Sequence, residues 1–505
     1  MPWPWPDHPP MTSSSSRTIL IIGLAREGLA AARWLAQNNM RVTASDLRPP
    51  DDAVQEELER LGVDLRIGRQ TPALLEKTNA LIVSPGVPQD IPLLQAARQR
   101  HLPITTEPRL FAQQCPAPLI GITGSSGKTT TTTLVARILE TTGHKTWIGG
   151  NIGAPLLPHL DEIHPSDQVV MELSSFQLYY WGPTASCSDN FAPWCNPAPV
   201  SPHIAAILNI TPNHLDRHPS MAHYTAAKAN ILAAQTPDDI AVLNREDSAT
   251  ALWAKQHRVT IPAGSGQQAV TFPLRSRLLT FGFDKMQSGS GTWIENGQIW
   301  LRWQGQITPV LDTAMIRLRG RHNLANVLAA VAIVGAAGIA PEAVQETVQT
   351  FNGVPHRLEE VAHIGDVLWI NDSIATAPER ALAALRSFEQ PIILLAGGRD
   401  KHLPWQEWAK EVHRRVRTVI AFGEATRIIQ KALADAPSQS QLQNILIAND
   451  LAEAVQQAYS LSCPGDVVLL SPGGTSFDAY TDFAARGEHF RHLVRRLQSH
   501  LQPTS

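Results

Sequence analysis

The segment 118–139, PLIGITGSSGKTTTTTLVARIL, is the part of the chain that most constrains the fold. Its apolar run predicts a buried strand, its small residues a tight loop, and its last stretch a helix. Further apolar runs of strand length recur along the chain, at 18–22, 41–46, 80–86, 167–173, 203–210, 239–244, 367–373, 391–400, 418–423 and 466–473. Such strand–loop–helix units build parallel sheets covered by helices, so we predict a doubly wound α/β fold.

The length of 505 residues predicts three domains, because a domain usually spans about 100–200 residues. The first sixteen residues lack the cationic start and apolar core of a secretory signal, and we predict that they are disordered. We place a tail at 1–16, an N-terminal domain at 17–112, a central domain at 113–352 and a C-terminal domain at 353–505.

Composition excludes several classes of function. Hydrophobic residues make up 43% and charged residues 17% of the chain, and the net charge of -3 favours neither nucleic acid nor an anionic membrane as partner. The longest apolar run, Leu324 to Ala340, falls short of the ~20 residues that cross a bilayer. The four cysteines, at 115, 187, 195 and 463, are typical of a reducing compartment. We therefore expect a cytoplasmic protein without membrane insertion, in which Cys187 and Cys195 are structural or adventitious.

Residues 121–130 carry the strongest local signal, which is that of a phosphate-binding loop. Small residues let backbone N–H groups turn toward an anion, the following helix adds its positive end, and Lys128 offsets phosphate charge. The strict G-x-x-x-x-G-K-[ST] pattern fails at one place, where Ile122 replaces the first glycine. A glycine turn with a solvated lysine is the alternative. The residues predicted to bind ATP here are Gly121, Ile122, Thr123, Gly124, Ser125, Ser126, Gly127, Lys128, Thr129 and Thr130.

The spacing G-x-T-G-x-x-G-K-T-T resembles the ATP loop of the Mur ligases and of the related folylpolyglutamate synthases. These enzymes activate a carboxylate as an acyl phosphate and then couple it to an amine. Most relatives have Thr-Asn before the last glycine, whereas this chain has Ser125 and Ser126, which are also small and polar. The resemblance spans about residues 17–495. It implies a Rossmann-like UDP-binding domain, a central ATPase domain with the phosphate loop, and a C-terminal Rossmann-like domain.

Glu172 ends an apolar run one strand after the phosphate loop. A lone carboxylate suits Mg²⁺, which prefers one or two carboxylates with phosphate oxygens and water, and an ordinary strand-end acid is the alternative.

Segment 209–218, NITPNHLDRH, resembles the family pattern N-x-x-x-D-H-x-D-R-H, with Asn213 in place of an aspartate. The resemblance implies two Mg²⁺ ions, the second held by His214 and by Lys228 carbamylated with CO₂. From the residues alone, without the resemblance, Lys228 would be interpreted as a lysine on the surface of a helix. The implied metal ligands are Thr129, Glu172, His214 and Lys228, and the implied catalytic residues are Lys128, His214 and Lys228.

Three later segments resemble nucleotide-binding parts of the family. They are RGRHNLAN at 319–326, GVPHRLE at 353–359 and NDS at 371–373. His322 and His356 within them are predicted to be structural. The resemblance implies further ATP contacts at Asn323, Asn326, Arg357 and Asp372.

The glycine turn GLAREG at 23–28 is not the G-x-G-x-x-G of nicotinamide sites. Such a turn can still approach a diphosphate, and Asp46 after the second strand can bind uridine hydroxyls or base. Arg26 and Glu27 match contact positions of the family, but with unlike residues. The resemblance implies contacts to a UDP-linked substrate at Gly23, Gly28, Asp46, Ser84, Gly86, Asn151, Ser174 and Gln177.

A ligase that adds glutamate must hold two carboxylates, so cations and hydroxyls are expected in the C-terminal domain. The segment LSPGGTSFD at 470–478 resembles a signature of the D-glutamate-adding branch, and the D-N-P-R signature of the diaminopimelate-adding branch is absent. The resemblance implies D-glutamate contacts at Thr376, Lys401, Ser476 and Phe483.

Ile374 departs from the pattern, because many D-glutamate-adding members have a lysine there. Either Lys401, Arg399 or Arg380 supplies the positive charge of the missing lysine, or the enzyme uses a different amine substrate.

The resemblance implies a monomeric, ATP-dependent ligase that adds D-glutamate to UDP-N-acetylmuramoyl-L-alanine in peptidoglycan precursor synthesis. Its partners would be these small molecules and ATP. A family member with a different amine, and a nucleotide-binding regulator without turnover, are the alternatives.

Overall fold

The computed structural model describes residues 18–182, 200–215, 217–263, 269–318, 320–400, 403–436 and 441–501. The predicted tail at 1–16, Cys187, Cys195 and Lys401 lie outside the described residues. Three large sheets correspond to the three predicted domains and confirm the α/β class, while the predicted boundaries stay a prediction.

The chain divides into two compact units between Phe351 and Asn352, so that the first two sheets share unit 1. The first sheet and its helices consist of β1 (Thr18–Ile22), α1 (Arg26–Gln37), β2 (Arg41–Asp46), α2 (Asp52–Arg60), β3 (Asp64–Ile67), β4 (Thr78–Val83), α3 (Pro92–Gln99), β5 (Ile104–Thr105) and α4 (Glu107–Gln114). The strands are parallel in the order β3-β2-β1-β4-β5. The carboxyl ends of β1, β2 and β4 therefore meet at one edge, where ligands of such sheets bind.

The second sheet of unit 1 has nine strands in the order β16-β15-β14-β13-β10-β9-β6-β8-β7. It is built, with a separate β11–β12 pair, from β6 (Leu119–Thr123), α5 (Lys128–Thr141), β7 (Thr146–Gly150), β8 (Gln168–Glu172), α6 (Ser175–Leu178), β9 (Ile204–Ile207), α7 (Met221–Ala229), β10 (Ile240–Asn244), α8 (Ser248–Gln256), β11 (Arg258–Ile261), β12 (Val270–Pro273), β13 (Arg277–Phe281), β14 (Gly291–Glu295), β15 (Gln298–Trp303), β16 (Gln306–Asp312), α9 (Arg321–Ala336) and α10 (Pro341–Thr350). Strand β6 lies between β8 and β9, and all three run parallel.

The predicted apolar run from Leu324 to Ala340 begins inside α9, which is buried from Asn326 to Gly335. This helix packs with α5 against the central sheet, so its apolar character serves the core. Within the described ranges, no helix is long and apolar enough to cross a membrane.

Unit 2 carries a six-stranded sheet in the order β17-β18-β22-β19-β20-β21, in which only the β17–β18 pair is antiparallel. Its elements are β17 (Glu359–Ile364), β18 (Val367–Asn371), α11 (Pro378–Leu385), β19 (Ile392–Gly397), α12 (Gln406–Arg415), β20 (Val416–Phe422), α13 (Thr426–Ala434), β21 (Asn444–Ala448), α14 (Leu451–Leu461), β22 (Val467–Gly473) and α15 (Phe483–Leu501). The ends of β18 and β22 are adjacent, and the predicted amino-acid contacts Thr376 and Ser476 follow these two strands in sequence.

Candidate nucleotide and substrate site

The predicted phosphate loop connects β6 to α5. Gly121, Ile122 and Thr123 lie inside β6 and are buried, so the loop itself begins at Gly124. Gly127 precedes the helix with φ +81°, and a Cβ there would stand 2.2 Å from Asn326 Oδ1. Glycine is therefore required by both the backbone and the neighbouring side chain.

The two predicted ATP-binding asparagines of α9 come close to this loop. Asn326 Nδ2 donates to Asn323 Oδ1 at 3.2 Å, and Asn326 Oδ1 faces Gly127. The structure thus brings the phosphate loop together with the first turn of α9, which lies about two hundred residues further along the chain.

Asn209 and Tyr224 anchor the loop, a role that sequence reasoning missed. Asn209 Oδ1 accepts from the Ser126 backbone N–H at 2.9 Å, and the Ser125 hydroxyl lies 2.9 Å from the Tyr224 hydroxyl. Ser125 also donates to the Thr211 carbonyl at 2.9 Å. Both serines therefore hold the loop in shape through neighbouring segments. Asn209 is the first residue of the 209–218 segment that resembles the family pattern. Its place in that pattern was the one signal in the sequence that pointed to its role.

Two lysines share the carbonyl oxygen of Gly124. Lys128 Nζ donates to it at 2.9 Å, and Lys228 Nζ, from α7, also donates to it at 2.9 Å. Lys228 is 1% exposed and donates to Thr123 Oγ1 at 3.2 Å. Burial, with a further contribution from the nearby Lys128 charge, holds the pKa of Lys228 well below its usual range, while Glu172 opposes this shift.

Glu172 ends β8 and is 1% exposed. Its Oε1 accepts from Asn151 Nδ2 at 2.6 Å, whereas its buried Oε2 has no hydrogen-bond partner. Such an oxygen fits a hard cation. Among the described residues, no group of three His, Cys, Asp or Glu side chains could hold a metal ion by itself. A Mg²⁺ ion at Glu172 would therefore need phosphate or water oxygens as further ligands.

His214 lies in the loop before α7, with φ +55° and an exposed side chain. Its ring is 5.1 Å from that of Phe176 and 6.5 Å from that of Tyr224. Lys228 Nζ is 4.9 Å from the centre of the Tyr224 ring. The predicted catalytic residues His214 and Lys228 thus approach the same aromatic side chain. Neighbouring His218 is buried, which lowers its pKa to about 4.

The predicted UDP-binding turn is tightly built. Gly23 has φ +87°, and its carbonyl accepts from Ser84 Oγ at 2.7 Å. A Cβ on Gly28 would stand 1.9 Å from that carbonyl, so Gly28 is required for the start of α1 to pack against the turn. Asp46 Oδ2 accepts from the Leu24 N–H at 2.7 Å. Four of the predicted substrate contacts therefore form one cluster at the edge of the first sheet.

Gly86 belongs to the same edge, where its carbonyl accepts from Arg217 Nη2 at 3.3 Å. Ser174 and Gln177 cap α6 reciprocally, since each side chain bonds the other residue's backbone. Gln177 is fully buried, and its Nε2 donates to Glu27 Oε1 at 2.8 Å. The structure therefore places Gln177 as an internal link between the first two sheets.

Two buried carboxyls lie at this boundary inside unit 1. Burial raises the pKa of Glu27 to about 7 and that of Glu107 to about 8, and the Glu27 charge adds to the second shift. Glu107 accepts from the Leu157 N–H at 2.9 Å. Sequence reasoning missed Glu107, because an acid at the start of a helix is usually a surface residue.

In unit 2, Asp372 directly follows β18 and is buried. Its Oδ2 accepts from Ser471 Oγ at 2.8 Å and its Oδ1 from the Leu358 N–H at 3.2 Å. Burial raises the pKa of Asp372 to about 7. Arg357, the other predicted ATP contact of this unit, has an exposed side chain, and its charge partly opposes this shift.

A buried arginine that sequence reasoning left without a role binds segments next to some of the predicted D-glutamate contacts. Arg486 donates to Ser373 Oγ at 3.0 Å, to the Ser373 carbonyl at 2.9 Å and to the Gly474 carbonyl at 3.1 Å. Ser373 Oγ in turn donates to the Phe483 carbonyl at 2.8 Å. The predicted contacts Thr376 and Ser476 lie close to this network in sequence, and Ser476 is buried.

Arg399, one predicted substitute for the missing lysine at Ile374, forms a two-point ion pair with Glu424 at 2.8 and 3.0 Å. Its charge is therefore already balanced. Arg380 has an exposed side chain on α11, and the third predicted substitute, Lys401, is not among the described residues.

The fold and the site together define an α/β protein built around the predicted phosphate-binding loop. Three family models match consecutive parts of the chain, each part containing one of the three sheets or most of it. They are described as Mur ligase MurD-like, N-terminal domain (residues 17–106), Mur ligase middle domain (122–334) and Mur ligase, glutamate ligase domain (356–474).

Curated relatives match over nearly the whole chain, and three of them carry the name UDP-N-acetylmuramoylalanine–D-glutamate ligase. That of Pelotomaculum thermopropionicum is 37% identical, over 95% of this chain and 98% of the relative. That of Symbiobacterium thermophilum is 38% identical, over 94% and 97%, and that of Clostridium kluyveri is 35% identical, over 95% and 96%. This chain belongs to the Mur ligase family.

Proposed function

We propose that this chain is an ATP-dependent ligase that joins D-glutamate to UDP-N-acetylmuramoyl-L-alanine, a cytoplasmic step of peptidoglycan precursor synthesis. The observation that carries the proposal is its 34–38% identity, over at least 94% of the chain, to relatives named as this ligase. The phosphate loop and the buried Glu172 support it, because activation of a carboxylate requires bound nucleotide. We also propose that the enzyme acts as a monomer.

The phosphate loop would bind the β- and γ-phosphates of ATP. Lys128 now donates to the Gly124 and Ser125 carbonyls, and phosphate oxygens would take over these hydrogen bonds. The substrate carboxylate attacks the γ-phosphorus, ADP leaves, and an acyl phosphate forms. The chain contributes positioning and electrostatic stabilisation to this step.

Glu172 and Thr129 are the residues of unit 1 that would hold Mg²⁺ beside the phosphates. The unpartnered Glu172 Oε2 supports this assignment. A bound ion supplies positive charge against the charge that develops on the phosphoryl group. We assign a second ion to His214 and carbamylated Lys228, because both approach the Tyr224 ring.

Carbamylation of Lys228 is supported by its surroundings. The neutral amine is the form that attacks CO₂, and burial beside Lys128 favours that form. Attack joins the amine nitrogen to the carbon of CO₂, releases one proton and leaves a carbamate anion. The carbamate would also place a negative charge beside Lys128, which shares the Gly124 carbonyl with Lys228.

Carbon NMR of the protein in ¹³C-bicarbonate tests the modification. We expect a carbamate resonance in the wild type and in Lys285→Met, which removes a surface lysine paired with Glu295. We expect none in Lys228→Met. A wild-type spectrum without the resonance would refute carbamylation.

The amine step follows in the same reaction. The UDP-linked substrate is assigned to the Gly23 turn, and D-glutamate to Thr376, Ser476, Phe483 and Lys401 of unit 2. The amine of D-glutamate attacks the acyl carbonyl, and phosphate leaves from the tetrahedral intermediate while the amine loses its proton. The product is an amide, with ADP and inorganic phosphate.

Phosphate release is the decisive measurement, made with ATP, Mg²⁺ and UDP-N-acetylmuramoyl-L-alanine. D-glutamate, L-glutamate, L-alanine and diaminopimelate are offered in parallel, and the amide product is identified by mass. We expect turnover with D-glutamate alone. Turnover with a different amine would keep the ligase and overturn the specificity, and turnover with D-glutamate alone would show that Ile374 is tolerated.

A regulator that binds nucleotide without turnover is the second candidate, and Ile374 is the residue that favours it. Lys128→Ala beside the wild type separates the two functions. A ligase loses phosphate release in the variant, whereas a regulator shows the same low background in both proteins.

A further inference from the structure

The first turn of α1 contacts the central sheet through two consecutive side chains. Arg26 donates from Nη1 to the Gly153 carbonyl at 2.6 Å and from Nη2 to the Gly150 carbonyl at 3.1 Å. Glu27 accepts from Gln177 Nε2 at 2.8 Å. Arg26 thus holds the loop after β7, and Glu27 holds the helix cap after β8.

Glu172 lies between these two contacts. Gly150 is the β-sheet partner of Glu172, and a Cβ on Gly150 would stand 2.3 Å from the Glu172 carbonyl. The next residue, Asn151, donates its backbone N–H to that carbonyl at 2.7 Å and its Nδ2 to Glu172 Oε1 at 2.6 Å. The position of the loop therefore sets the position of the carboxylate.

The segment that follows Glu172 in sequence is held through Gln177. Gln177 Oε1 accepts from the Ser174 N–H at 2.9 Å and from Ser174 Oγ at 3.0 Å, which leaves its Nε2 for Glu27. Ser174 follows Glu172 by two residues. A displacement of α1 would consequently disturb both segments that border the end of β8.

We propose that Arg26 and Glu27 are positioning residues that hold the Asn151–Glu172 hydrogen bond in the geometry needed for phosphoryl transfer. They connect the turn assigned to the UDP-linked substrate with the carboxylate assigned to Mg²⁺. The two residues act through Asn151 and Gln177, and neither contacts the reacting phosphate. The catalytic part of this inference rests on the proposed ligase reaction, whereas its structural part does not.

Arg26→Met, with Arg33→Met as matched control, tests the inference. Arg33 lies on the same helix and forms a two-point bond with Glu57 at 2.9 and 2.7 Å, away from the loop. The first readout is amide hydrogen exchange of the peptide that covers residues 148–155 in the full-length protein. We expect faster exchange at Asn151 in Arg26→Met only, because its backbone hydrogen bond to Glu172 loses support.

The second readout is steady-state kinetics. Loss of an outer contact to a metal-binding carboxylate typically lowers activity by about 10–100-fold, and we expect a fall in kcat near the lower end of that range. The KM for D-glutamate should stay unchanged. Arg26→Lys should recover part of the loss, since one ammonium can bond one of the two carbonyls. Arg33→Met should match the wild type in every readout.

Two results would overturn the inference. One is exchange at Asn151 in Arg26→Met equal to that in Arg33→Met. The other is an effect confined to the KM of the UDP-linked substrate, which would make Arg26 a direct substrate contact. If no protein turns over, the proposed ligase function fails, and the exchange comparison still decides whether Arg26 holds the loop.

Discussion

Glu172 and Asp372 are buried carboxylates at strand ends in different units, and their hydrogen bonding differs. Glu172 has one oxygen bonded to Asn151 and one without a partner. Asp372 accepts one hydrogen bond on each oxygen, from Ser471 and from Leu358. A buried carboxyl group with an unpartnered oxygen can bind an external cation, whereas one that is bonded through both oxygens mainly organises its own unit.

Two buried basic side chains, one in each unit, also differ in their hydrogen bonding. Lys228 in unit 1 shares a single carbonyl with Lys128, so its environment disfavours two positive charges. Arg486 in unit 2 has three hydrogen bonds to neutral oxygens and is fully buried. In unit 1, Glu172 Oε2 therefore remains without a hydrogen-bond partner, while these polar groups of unit 2 are bonded within their own unit.

Glu172→Gln should produce the largest effect. The amide keeps an oxygen for Asn151 but removes the charge that would hold Mg²⁺, and we expect kcat to fall on the order of 10³-fold. Phosphate release measures this. The control is Glu295→Gln, which changes the last residue of β14 and leaves the site intact. If Asp372→Asn lowers kcat as much as Glu172→Gln, the contrast between the two carboxylates is wrong.

Arg486→Met should destabilise unit 2. It leaves two buried carbonyls and the Ser373 hydroxyl without their donor, and we expect a loss of about 3 kcal/mol in the free energy of unfolding. Urea unfolding measures the change. Arg495→Met, at an exposed position of the same helix, is the control. An unchanged urea midpoint would show that these hydrogen bonds do not stabilise unit 2.

Local spacing was enough to predict much of the fold and part of the site. The strand, the phosphate loop and the following helix are consecutive in sequence, so their residues define the loop without distant partners. Glu172 was predicted as a strand-end acid on the same basis. The apolar run at 324–340 was rightly excluded as a membrane span, because it is interrupted by small residues and is too short.

Contacts between distant segments could not be predicted in this way. Asn209 reaches Ser126 across 83 residues, Tyr224 reaches Ser125 across 99, and Gln177 reaches Glu27 across 150. Within its own segment, each of these polar residues lacks a feature that would indicate its partner. The two residues become neighbours only because of the order of the strands in the sheets. The burial of Asp372 has the same origin, since Ser471 comes from β22, the neighbouring strand.

Asp372→Asn should produce the smallest effect, which is a change in how the free energy of unfolding depends on pH. The pKa of Asp372 rises from 3.8 in the unfolded chain to about 7 in the folded unit. The folded state therefore binds the proton more tightly, and its contribution to stability is complete below pH 4 and is lost as the pH rises through 7. Asparagine has no such proton, so the wild type should lose about 2–3 kcal/mol relative to the variant between pH 5 and pH 8. Urea unfolding across this range, with the exposed Asp366→Asn as control, measures the difference in slope. Parallel curves for wild type and Asp372→Asn would mean that the carboxylate is ionised in the folded unit, and its two hydrogen bonds would then stabilise a charge, as in a ligand-binding site.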